Sequence, residues 1–373
     1  MKNSIKLILF SIVLMFISLI IPNISNAATR TATDESSLIS AISIADTGDT
    51  ITLQNNITVT QPIVIAKELI IDGNGYTITG SSDWTSTSGN QTMFTAQFSD
   101  AKLTLKNINL QNGPKYGVQS YDGATVILDN VSITGFRYGG VLANGGNVEV
   151  KQLHLGYNGT GANNGIEIDK GASATNNPTL VMNGVLTTDS SENVVRVAEN
   201  GYLTEFTVTN DPNTTNKVLV AGSSVVLTDS ADNVISETTL PDKATANTDT
   251  QSVIITLIAN DQTNKIAINL GETITADLLK SHITVDANHE ITGFFTDAQF
   301  TTEFNFNDPI NADTTIYVKI SEIVVEVPEE VPENVVNEEK DETPKTGIEN
   351  YIGIAFLVII FSISVLIFMK KRV

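Results

Sequence analysis

Four stretches of this chain, residues 103–110, 126–133, 148–155 and 180–186, repeat one pattern of alternating apolar residues. The first three begin at Leu103, Val126 and Val148, a period near 22, and the fourth at Leu180 follows a Gly-rich stretch at 159–165 that absorbs the extra length. An earlier relative lies at 69–78. Between them runs a second set of short apolar segments, beginning at Gly117, Gly140, Gly165 and Asn193. Each is closed by turn residues: Asp122-Gly123, Asn144-Gly145-Gly146, Lys170-Gly171 and Glu199-Asn200-Gly201. A unit this short cannot bury its own apolar face, so it must stack on its neighbours. The spacing predicts an all-β solenoid, a parallel β-helix, whose coils pair strand on strand at roughly 4.8 Å.

Alternation then sets the register, because neighbouring residues of a strand point to opposite faces. Leu103, Leu105, Val126, Leu128, Val148 and Val150 are expected to stack inside, with Ile127 outside. Asn107, Asn130 and Gln152 occupy equivalent positions after a strand, while the fourth segment has Gly184 there and Asn183 one place early. Stacked amides at that position would hydrogen-bond from coil to coil. The plainer alternative is that these residues merely favour the turn.

The segment before the repeats reads as the start of such a solenoid. Residues 37–42 suggest a short amphipathic helix, followed by strand-like pieces at 48–53, 57–59, 62–65 and 69–75. A helix there would cover the open first coil, whose strand edges are otherwise unpaired. With this opening, residues 28–243 resemble the pectate-lyase-like superfamily of right-handed β-helices, and in particular the β-helical surface proteins and adhesins of bacteria. The resemblance implies a right-handed parallel β-helix.

A second module is expected over 251–321. Gly293, Phe294, Phe295, Thr296, Asp297, Phe304, Phe306, Pro309, Ile310, Tyr317 and Lys319 resemble the pattern of the internalin B repeat, with Phe294 where that family has Trp. The resemblance implies a small β-grasp-like domain, with a core expected from Phe294, Phe304, Phe306 and Tyr317. Residues 241–251 carry no apolar period and are expected to be a linker. Residues 322–342, rich in Glu, Val and Pro, suit a solvated acidic stalk.

Both ends carry targeting signals. Lys2 and Lys6 precede an apolar stretch at 7–21, and Ser25-Asn26-Ala27 offers small residues for cleavage. Residues 1–27 therefore read as a secretory signal peptide cut after Ala27, an uncleaved anchor being the alternative. At the other end, 343–373, an apolar run at 351–369 has the length of a membrane span and is followed by Lys370, Lys371 and Arg372. Before it stands Thr343-Pro344-Lys345-Thr346-Gly347, which resembles the sorting motif of Gram-positive sortase substrates, with Thr343 in place of the usual Leu. The resemblance implies sortase as a partner, cleavage between Thr346 and Gly347, and covalent attachment of Thr346 to peptidoglycan. An ordinary C-terminal membrane anchor is the alternative.

Composition narrows the function. The chain has no cysteine, so an exported form relies on packing and backbone hydrogen bonds. Its net charge of −21 repels phosphate backbones and argues against a nucleic-acid partner. The β-helix superfamily includes polysaccharide lyases that hold calcium on clustered Asp residues, and hydrolases that pair carboxylates as acid and base. Asp122, Asp129 and Asp169 fall at different coil positions. Asn247 to Asp249 lies in the polar linker, beyond the coils. No catalytic, metal or cofactor-binding set is named. His154, between Leu153 and Leu155, is expected outward on a strand as a surface residue, and Arg196 is a further basic candidate. Arg137 beside Tyr138 is a surface pair able to stack on a sugar. Trp84, in a polar loop, either caps the solenoid or meets a ligand. The leading expectation is a cell-wall-anchored adhesin, not an enzyme, that presents its β-helix to an extracellular glycan or protein ligand. A wall-bound polysaccharide lyase or glycoside hydrolase is the rival, and a purely structural wall protein a third reading.

Overall fold

The computed structural model describes residues 27–159 and 165–323. The signal peptide up to Asn26, the stalk from Val324, the sorting motif and the apolar span at 351–369 lie outside the described residues. Among the described residues no helix is long and apolar enough to cross a membrane.

The solenoid is a parallel β-helix. One long sheet stacks Thr29–Ala32, Thr50–Leu53, Glu68–Asp72, Lys102–Gly113, Thr125–Phe136, Asn147–Leu155, Thr179–Thr188, Glu205–Asn210 and Thr245–Thr248 in that order. A second sheet stacks Ile63–Ile65, Phe94–Gln97, Tyr116–Tyr121, Gly139–Asn144, Ile166–Asp169 and Val195–Val197. Every pairing in it is parallel. The expected register holds in the first sheet: Leu103, Val126, Val148 and Leu180 are one row, and Leu105, Leu128, Val150 and Met182 another. All eight are fully buried. Each such side chain contributes about 1.5–3 kcal/mol by leaving water. Ile127 points outward, in register with Thr104 and Glu149, yet it is only 8% exposed, so its face is less open than alternation alone suggests.

Asn107 and Asn130 sit in left-handed conformations, φ 49° and 60°, in the middle of twelve-residue strands. A short polar side chain tolerates that backbone, which lets a single residue turn the coil's corner. The amide ladder is real but shifted. Asn130 Nδ2 donates to Asn107 Oδ1 at 2.9 Å, and Asn107 Nδ2 to Asp72 Oδ1 at 3.4 Å. It does not continue to Gln152, because a register irregularity sets Gln152 opposite Asp129. In the next coil a Cβ on Gly184 would collide with the Lys151 carbonyl oxygen, so no amide fits there.

The first coil is closed by the helix Glu35–Ile44, which buries Leu38 and Ala41. Asp34 caps it, accepting from the Ser37 backbone N–H at 2.8 Å. The last coils are closed differently. Lys217–Ala221, Ser224–Thr228 and Val234–Thr239 form an antiparallel meander with two apolar faces. Val218, Val225 and Leu227 join the solenoid core. Leu219, Ala221 and Val226 instead pack with Ile254 and Ala267.

The second module is a mixed sheet. Ser252–Ala259 pairs antiparallel with Gln262–Asn269 and parallel with Thr314–Glu322, whose other edge takes His289–Phe295. The helix Ala276–Ser281 buries Leu279 in its core. This is the arrangement expected of a β-grasp-like module. Phe294 and Phe306 pack edge-to-face at 5.5 Å, and Phe304 and Phe306 at 5.0 Å. Tyr317 is not in that core: alternation sends Ile316 and Val318 inward, and Tyr317 pairs with Phe295 on the opposite face. The stretch expected as a linker is also structured. Thr245–Thr248 is the last strand of the solenoid sheet, and Ala221 of the meander pairs with Ser252 of the module.

Candidate ligand-binding face

The second sheet was legible in sequence as strands, but what its outward residues build was not. Its inward rows are apolar or small: Ile63, Phe94, Val118, Val141, Ile166 and Val195 form one of them. Parallel pairing therefore lines up the alternate residues outside. Val64, Thr95, Gln119, Leu142, Glu167 and Arg196 make one outward row, and Gln97, Tyr121, Asn144 and Asp169 the next.

Over these rows lies a cleft of about 350 Å³, lined by Asn90, Gln97, Tyr116, Gln119, Tyr121 and Asn144 among others. That is within the range of small-ligand sites. Its floor is unusually buried for a polar surface: Thr92, Thr95 and Gln119 are 1%, 2% and 9% exposed. Asn90 Nδ2 donates to Thr95 Oγ1 at 3.0 Å, and Thr92 Oγ1 to Gln119 Oε1 at 3.4 Å. Lys115 Nζ donates to the Gly89 carbonyl at 2.6 Å and lies 5.9 Å from the centre of the Tyr138 ring. Tyr138 in turn meets Tyr116 edge-to-face at 6.0 Å.

At one end of the cleft Tyr116 reaches across a strand to Glu167, its hydroxyl donating to Oε2 at 2.7 Å. Arg196 lies 3.7 Å from the same oxygen. Burial pushes the Glu167 carboxyl above its ordinary range, against the opposing pull of the Tyr116 hydroxyl and Arg196. Asp169, two residues along the same strand, is also raised by burial, although the Lys170 N–H and Asn200 favour its charged form. Burial and the Glu167 charge together push the Tyr116 phenol well up. Both carboxyls accept hydrogen bonds here, Glu167 from Tyr116 and Asp169 from the Lys170 N–H and Asn200. Sequence reasoning missed this pair. The signal was the alternation of Ile166-Glu167-Ile168-Asp169, which sends both acids to one face once the isoleucines are placed inside.

The other candidates lie elsewhere. Asp122 holds a loop, accepting from the Thr175 and Asn176 backbone N–H groups at 2.7 and 2.9 Å. Asp129 lies on the first sheet, away from Asp169. Among the described residues no group of three or more His, Asp or Glu side chains is placed to hold a metal ion. His154 is a half-exposed strand residue on the first sheet, hydrogen-bonded to Thr187 at 3.0 Å and 3.6 Å from Asp189. Trp84 is a packing residue, 8% exposed in the solenoid core, with its indole N–H donating to Gln91 at 2.6 Å. Arg137 is exposed and borders the same recess as Trp84, while its neighbour Tyr138 turns toward Tyr116.

Residues 29–148 match a family described as a pectate lyase-like adhesive domain. The cleft lining from Gly89 to Asn144 lies wholly inside that span, and Glu167, Asp169 and Arg196 beyond it. No curated protein matches the chain. Among solved structures, a pectin methylesterase mutant in complex with a hexasaccharide is similar at 12% identity. The likeness covers 60% of this chain and 87% of that one, with a TM-score of 0.30. A score that low supports no inference about function. The fold is a parallel β-helix, and its first coils are similar to that adhesive-domain family.

Proposed function

We propose that the chain is a cell-surface adhesin, anchored to the Gram-positive wall by sortase through Thr346, whose β-helix contacts an extracellular ligand through the cleft on its second sheet. The observation that carries this reading is the coincidence of the cleft with the span matching an adhesive domain. The module at 251–321, read as an internalin-type B repeat, and the acidic stalk at 322–342 hold the solenoid away from the membrane. The test has two arms. Thr346→Ala should move the protein from the wall fraction to the membrane or the medium. Cells lacking the protein should lose adhesion to a surface that the parent strain binds. Wall-bound protein unchanged in the variant rejects the anchoring, and unchanged adhesion rejects the adhesin.

The placement of Glu167 and Asp169 on one outward strand face favours a second reading, a polysaccharide-cleaving enzyme using one as acid and the other as base. Incubation with glycan polymers and an assay for new reducing or unsaturated ends separates the two.

A further inference from the structure

We propose that the cleft takes a neutral glycan, built of hexose or N-acetylhexosamine units without carboxylate, sulfate or phosphate groups. This rests on the adhesin reading and names its ligand class. Gln119 is nine-tenths buried, and its Oε1 accepts from Thr92. Its amide nitrogen borders the cleft with no hydrogen-bond partner among the described residues. That nitrogen opens onto the cleft, where a ligand oxygen would accept from it. Around it stand the amides of Asn90, Gln97 and Asn144 and the ring of Tyr121. Planar amides present donor and acceptor side by side, the pair that vicinal sugar hydroxyls match. Tyrosine rings offer an apolar face and a polar tip at small entropic cost.

Charge gives an acidic polymer little to hold. Lys115, the one charged residue among those lining the cleft, donates to the Gly89 carbonyl, and Arg196, beyond the lining, pairs with Glu167. A ligand carboxylate reaching past Tyr116 would meet Glu167, on a chain of net charge −21. A phosphate or sulfate fares worse, since no arginine fork lines the cleft.

The experiment uses the purified full-length chain and four probes: neutral hexose oligomers, N-acetylglucosamine oligomers, polygalacturonate and chitosan, each at low and high salt. One or both neutral probes should bind, with an affinity changing less than about two-fold with salt, because screening acts only on charges. Gln119→Ala should weaken binding about ten-fold, the loss of one hydrogen bond to the ligand. Gln97→Ala, half-buried on the next row, gives a second reading on the same face, and melting curves show that both variants fold. His154→Ala, on the other sheet, should bind as the parent does. Binding of polygalacturonate or chitosan but neither neutral probe overturns the proposal. So does neutral binding that survives both glutamine substitutions in folded protein. If no probe binds while cells still adhere through the protein, the proposal falls and the adhesin stands. If adhesion too is absent, both fall.

Discussion

The backbone nitrogen of Ala28 donates to Oδ1 of Asp49 at 2.7 Å, and Asp49 is 1% exposed. The other oxygen accepts from the Asp46 N–H and from Arg30 Nε, each at 3.0 Å. Ala28 is the residue that cleavage after Ala27 would make the new N-terminus. Its amide would become an ammonium group facing a buried carboxylate, and a neutral hydrogen bond would become an ion pair. Asp49→Asn should therefore lower the melting temperature of the processed chain more than that of a chain retaining residues before Ala28. The Ala28 N–H, followed by that of Asp46 and by Arg30, holds the Asp49 carboxyl below its ordinary 3.8. Its contribution is thus present above that value and lost as pH falls through the depressed one. The gap between parent and variant should close in acid. An equal effect on both chains contradicts the ion pair.

Leu128 tests the register. Leu128→Asp places a carboxylate among Leu105, Val150 and their neighbours, where no polar partner stands. The loss should be at least about 3 kcal/mol in denaturant melts, or the acid must stay protonated. Thr104→Asp, half-buried on the outward face of the adjoining coil, should cost less than about 1 kcal/mol. Equal losses would mean that the two faces are exchanged.

Glu167 makes a prediction about pH. Burial raises its carboxyl above the ordinary 4.5, so the folded state binds its proton more tightly than the unfolded state does. That stability is fully present below the ordinary value and is lost as pH rises through the raised one. Glu167→Gln keeps an acceptor for the Tyr116 hydroxyl and removes the titration. The variant should melt higher than the parent near neutral pH, and the advantage should vanish in acid. An advantage that grows toward low pH contradicts the burial of this group.

The meander at 217–239 predicts how the chain can be cut. A chain ending at residue 243 loses Thr245–Thr248, which pairs with Glu205–Asn210, and leaves Leu219, Ala221 and Val226 without Ile254 and Ala267. One ending at residue 250 keeps the strand and loses only the contacts with the second module, the Ala221–Ser252 pairing among them. Thermal stability should fall in the order full chain, 250, 243. Indistinguishable melting of the two shortened chains would show that the strand contributes nothing.

The solenoid was readable because its repeats write the register directly: Leu105, Leu128 and Val150 stand in the sequence at one coil's spacing and in the fold on one row. The capping helix was readable from its polarity pattern. The strand at 245–248 was not, since Thr-Ala-Asn-Thr has no apolar alternation and owes its conformation to pairing with Glu205–Asn210. Tyr317 looked like core because it is aromatic, but the phase of its strand puts Ile316 and Val318 inside. The cleft was hidden for a different reason. Gln119 and Glu167 are 48 positions apart and come to share a row, on either side of Leu142, only when the second sheet is stacked. Single glutamines and acids in a polar-rich chain give no local sign of that.

The central claim is that the outward face of the second sheet makes the adhesive contact. Its most direct test is the adhesion of cells displaying the parent protein compared with cells displaying Gln119→Ala combined with Tyr121→Ala, at matched surface levels. The account predicts that the double variant adheres like cells lacking the protein, because both side chains line the cleft. Adhesion of the folded double variant equal to that of the parent would contradict it.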